Sequence, residues 1–112
     1  MSLQLEHRLI TYDGEDYDIV CNMAVLDDLQ EAYGDMDAVA ADTTDRVAAQ
    51  LLLSMLNRAA RKKGSARRFT LDELKENLSY GQLRAWDIFG MMVRSLATQP
   101  AEPGAEGETA KN

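Results

Sequence analysis

His7 is the single histidine and Cys21 the single cysteine among 112 residues. Cys/His or Ser/His/Asp catalysis would have to run through that one imidazole, and a zinc site built on several thiolates is excluded for one chain. The commoner meaning of such a pair is a small buried thiol and a strand histidine. Asp13, Glu15, Asp16 and Asp18 crowd together. A calcium loop, however, needs ligands at alternate positions, a central glycine and a distal Glu between two helices. Here the acids fall in a hairpin pattern whose turn uses Gly14. Neither common glycine-rich phosphate loop occurs. Carboxylate pairs such as Asp27-Asp28 are plentiful, yet nothing in the sequence gathers them in a cleft. The reading is a non-enzyme with no metal and no cofactor.

The elements that would position any site follow from patterning. In "RLITYDGEDYDIVCN" two short runs flank Asp13-Gly14-Glu15. A type II′ turn with Gly14-Glu15 at its centre would set Tyr12 against Tyr17, Ile10 against Ile19, and Leu9 against Val20 on the other face. The alternative loop, Asp13-Gly14, sets Leu9 against Asp18 and Arg8 against Ile19. The first register is preferred, on the ground that a slip exchanges apolar and polar sets. The hairpin spans about 7–21, with apolar residues on both faces. An isolated hairpin is marginal in water, so it must lean on the helices that follow or on a neighbouring copy.

Asn22 caps a helix over about 23–33, with Met23, Leu26, Leu29 and Tyr33 in one stripe and Gly34 as its stop. The segment "DMDAVAAD" is a connector with room for one helical turn. Thr43 or Thr44 opens the longest helix, about 44–63. Its stripes Val47/Leu51/Met55/Ala59 and Ala49/Leu52/Leu53/Leu56/Ala60 imply packing on two sides, hence a central helix. Thr70 with Glu73, and Ser79 with Gln82, are capping boxes, each with a hydrophobic staple: Phe69/Leu74 and Leu78/Leu83. They predict helices over about 71–78 and 80–98. Residues 99–112 hold both prolines and no large apolar side chain, as a disordered tail does. The fold class is α+β, mainly α: one domain over 1–98, with an N-terminal hairpin on a bundle of about four helices.

Hydrophobic content of 46% with 28% charged residues is globular, and no apolar run approaches the roughly 20 residues that span a bilayer. "MSLQLEHRL" has no signal-peptide pattern, which makes the cytoplasm the expected compartment. The net charge of −7 hides an asymmetry. Residues 1–45 carry twelve acids against Arg8, and residues 46–68 seven bases and no acid. Such blocks favour a charged partner or head-to-tail association of copies, although a solvated surface is the blander meaning. The cluster Arg58, Arg61, Lys62, Lys63, Arg67, Arg68 raises nucleic acid as a partner. The helix after it is too apolar for a groove reader, and no aromatic residues interleave with the bases. Met36, past the first helix stop, is the methionine best placed for the surface.

In the last helix Ala85, Ile88, Phe89, Met92 and Leu96 line one face, widened by Trp86, Gly90, Val93 and Ala97. That exceeds what one helix of a small bundle must bury. Trp86, Phe89, Met92, Val93 and Leu96 are therefore the candidate partner-binding residues, suited to an amphipathic helix. Candidate self-association residues are Ile10, Tyr12, Tyr17 and Ile19 of the hairpin, with Arg61, Lys62, Lys63, Arg67 and Arg68.

The stretches "ITYDGEDYDIVCNMAVLDDLQEAYGDM", "LLLSMLNRAARKKG" and "FTLDELKENL" together resemble the tail assembly chaperones of long-tailed phages and prophages. The likeness covers about residues 8–80, and its motifs are mostly structural punctuation. It implies a non-enzymatic protein of the bacterial cytoplasm that coats the long helical tape-measure protein, then leaves before the tail is finished. Such chaperones are often made in two lengths by a translational frameshift, and the end from Gln99 is where an extension would join. A small adaptor binding one helical partner, or a nucleic-acid binder through residues 58–68, are the other readings.

Overall fold

A computed structural model describes residues 5–97; the tail expected over 99–112 lies outside them. The hairpin comprises β1 (His7–Tyr12) and β2 (Glu15–Val20). Six helices follow: α1 (Met23–Tyr33), α2 (Met36–Ala41), α3 (Thr44–Lys62), α4 (Leu71–Asn77), α5 (Tyr80–Ala85) and α6 (Ile88–Ala97). The fold is α+β and mainly α.

The helix starts are where the polar punctuation placed them. Asn22, Thr43, Thr70 and Ser79 each accept a hydrogen bond from the backbone N–H three residues on, which satisfies a donor left over at each helix start. Asp35 does the same for α2, so the connector is a short helix. Neither capping box closes reciprocally. The Glu73 carboxylate instead accepts from Tyr12 and Arg67. α3 is central: β2, α1, α4, α5 and α6 all pack on it, and Leu51, Leu52 and Leu56 are fully buried.

Two expectations are corrected. The hairpin pairs Ile10 with Tyr17, Arg8 with Ile19 and Leu9 with Asp18, which is the Asp13-Gly14 register set aside above. The two registers shift each residue's partner by two, so both leave Ile10, Tyr12, Tyr17 and Ile19 on one face. Side-chain alternation cannot separate them, and the turn decides. Asp13 and Gly14 have φ of 53° and 78°, the paired left-handed residues of a type I′ turn, for which Asp-Gly is a preferred sequence. The outer face keeps Leu9 68% exposed.

The second correction is that the helix expected over 80–98 is broken at Trp86-Asp87. Leu83 and Ile88 are five residues apart, so on one straight helix they would point about 140° from each other. Both are buried against the core. A left-handed residue, Asp87 with φ 55°, resets the phase between them. Asp tolerates that region better than most residues, at a cost of about 1 kcal/mol. Burying a leucine is worth about 1.5–3 kcal/mol, so the break is favoured. The Asp87 carbonyl accepts the first α6 bond from Met91 N. Its carboxylate occupies the space that a Cβ on residue 90 would need, which Gly90 leaves clear.

Candidate functional site: an apolar flank on the last helix

α6 turns Ile88, Met91 and Met92 into the core, with 5% exposure or less. The Ser95 hydroxyl donates to the Cys21 carbonyl at 2.9 Å and pins the helix end beside the start of α1. Phe89, Val93 and Leu96, spaced i, i+4, i+7, then share a neighbouring flank. Phe89 is half-buried against the core, while Val93 and Leu96 are 47% and 55% exposed.

The five candidate partner-binding residues are therefore divided. Val93 and Leu96 lie open with Phe89 beside them. Met92 belongs to the core, because the phase of α6 is set after the break. Trp86 is half-buried at the joint, where its carbonyl accepts from Arg8. It borders an open groove of about 350 Å³ with Thr11, Tyr12, Asp13, Asn77 and Gln82. The sequence stripe also misplaced Met23, which is 80% exposed. At the first position of α1 its side chain extends past the end of the packed region, and only its place right after the cap signalled this. Met36 is half-buried against the core.

The hairpin candidates are not on the surface. Ile10, Tyr12, Tyr17 and Ile19 are 5% exposed or less, in the core of their own chain. Phe69 meets the rings of Tyr12 and Tyr17 edge-on, with centroids 5.6 and 5.4 Å apart. That arrangement suits the ring quadrupoles and seals the hairpin in cis.

The basic cluster is half consumed inside the molecule. Arg58 donates two bonds to Asp28, at 2.8 and 2.9 Å, and Ser54 donates a third at 2.6 Å. The Arg58 bonds above all hold the Asp28 carboxyl below its ordinary range. Lys63 reaches Glu15 at 3.0 Å and lies over the Tyr17 ring. Arg67 pairs with Asp13 and Glu73 and covers the Phe69 ring. Among the described residues, no acid forms an ion pair with Arg61, Lys62 or Arg68, which are exposed.

His7 Nδ1 lies 3.1 Å from the Asp18 carboxylate on the outer hairpin face. Cys21 is buried, and burial pushes its thiol pKa up, the opposite of an activated nucleophile. Among the described residues, no three His, Cys, Asp or Glu converge as metal ligands would, and no helix is long and apolar enough to cross a membrane. No family model, curated protein or solved structure matches this chain.

Proposed function

We propose that this chain is a non-enzymatic tail assembly chaperone of a phage or prophage, working in the bacterial cytoplasm and holding the tape-measure protein soluble during tail morphogenesis. The observation that carries this reading is the flank on which Val93 and Leu96 lie exposed with half-buried Phe89 beside them. Its i, i+4, i+7 spacing suits the apolar face of an amphipathic helix, the repeated element of a long helical client. The likeness of residues 8–80 to the family supplies the identity of that client. Self-association fits the same reading. Arg61 and Lys62 close the C-terminal end of α3, with Arg68 shortly after it. Glu31 and Asp37 belong to the end of α1 and to α2, which the Tyr33–Asp42 bond ties to the start of α3. Copies joined end to end would bring unlike charges together.

Capture from host cells producing tails, with bound chains identified by mass spectrometry, tests the proposal. The expected partner is a very long helix-rich protein, retained by the wild type and lost with Leu96→Asp. A short partner at fixed stoichiometry would favour an adaptor instead. Nucleic acid released steeply with salt would favour the basic patch as the site, a reading weakened by the internal pairing of Arg58, Lys63 and Arg67.

A further inference from the structure

The break between α5 and α6 falls where the sequence provides no stop. Residues 80–97 contain no proline, and neither glycine, Gly81 or Gly90, stands at Trp86-Asp87 itself. Ser79 caps the helix start. The stop at Trp86, whose N–H donates to the Gln82 carbonyl, is followed by left-handed Asp87, where a glycine or asparagine would be the usual signal. What the joint does have is a set of ties to the N-terminal strand. Arg8 donates to the Trp86 carbonyl. Arg94 donates to both oxygens of Glu6, at 2.7 and 2.9 Å, and to Asp87 at 2.9 Å. Arg8 in β1 and Glu6 just before it thus tie the N-terminal segment to the joint itself, at Trp86, and to α6 two turns after it, at Arg94.

We infer that the α5–α6 joint is a two-state hinge and that the N-terminal strand is the strap that keeps it closed. In the closed state Leu83 rests in an apolar notch with Ala49, Leu52, Leu74 and Leu78. In the open state residues 80–97 run as one helix, Asp87 returns to the right-handed region, and Leu83 swings out of phase with Ile88. The notch on α3 and α4 is then uncovered. The open state gains the backbone hydrogen bonds missing at the joint, and the closed state holds the leucine and the strap. Glu6 and Arg8 therefore bias an equilibrium that the helix sequence leaves balanced. The inference concerns the chain alone and stands whether or not the client is a tape-measure protein.

Spin labels at positions 80 and 96, both exposed, read the state in a Cys21→Ser background. One straight helix separates their Cα atoms by about 24 Å, so a population at that length reports the open state. Gly90→Ala puts a Cβ into the space of the Asp87 carboxylate in the closed state, forcing that side chain off its rotamer at a cost of about 1 kcal/mol. Residue 90 is helical in both states, so its helix propensity cancels. That closed-state cost should raise the long-distance population about fivefold. Glu6→Gln/Arg8→Gln should raise it too. An unchanged distribution in the folded Gly90→Ala protein overturns the hinge. A long population in Gly90→Ala but none in Glu6→Gln/Arg8→Gln overturns the strap. Circular dichroism confirms that each variant is folded.

Discussion

The hairpin and the α5–α6 pair both pack on α3, and they do so in opposite ways. The hairpin is sealed on its inner face. Its four inner side chains are buried, Phe69 closes on two of its rings, and Lys63 and Arg67 fasten its acidic tip. The α5–α6 pair is unfinished. It carries a left-handed aspartate at its joint and exposes Val93 and Leu96 on its flank. The contrast separates the part that holds the domain together from the part that keeps apolar side chains open.

Substitutions break this comparison in decreasing order of effect. Ile19→Asp puts a charge at a site with no exposure and should cost on the order of 4 kcal/mol or more in chemical denaturation. If it only impaired self-association, the hairpin would be packing on a neighbouring copy instead. Phe69→Ala removes the ring contacts under the hairpin tip and should cost about 3–5 kcal/mol. Asp28→Ala leaves Ser54 and Arg58 without their acceptor, for a loss of about 1–3 kcal/mol at neutral pH.

That third variant also sharpens acid behaviour. The folded Asp28 carboxyl titrates below its ordinary value, so in the window just under the unfolded value of about 3.9 the unfolded chain binds more protons. The stability from this pair is present above that value and is lost as pH falls through the lower folded one. Melting the wild type and Asp28→Ala from pH 6 to pH 2 should show their difference shrinking. Lys63→Ala loses an exposed pair and should change stability by at most about 1 kcal/mol, less in high salt. Leu96→Asp should shift stability by no more than about 0.5 kcal/mol while abolishing capture of the helical client. A large stability loss there would mean that the flank belongs to the core.

Much of the architecture was legible because it depends on neighbours in sequence. Asn22, Thr43, Thr70 and Ser79 cap from within three residues, and the two-sided pattern of residues 47–60 marked α3 as central. The hairpin register was misread because registers two residues apart leave the same faces inward, so only the turn separates them. Asp13-Gly14 carried that signal. The break at Asp87 was hidden for a different reason. Local spacing describes one continuous helix, and only α3 behind it makes both Leu83 and Ile88 worth burying. The sites divide along the same line. Sequence identified Phe89, Val93 and Leu96 as an apolar excess, but their exposure, the burial of Met92 and the neutralisation of half the basic cluster by Asp13, Glu15, Asp28 and Glu73 depend on contacts between distant segments. The chain alone determined where its helices begin and which helix is central, since caps and periodicity act within a turn or two. Tertiary packing decided which apolar faces remain open, because burial is settled by what stands opposite.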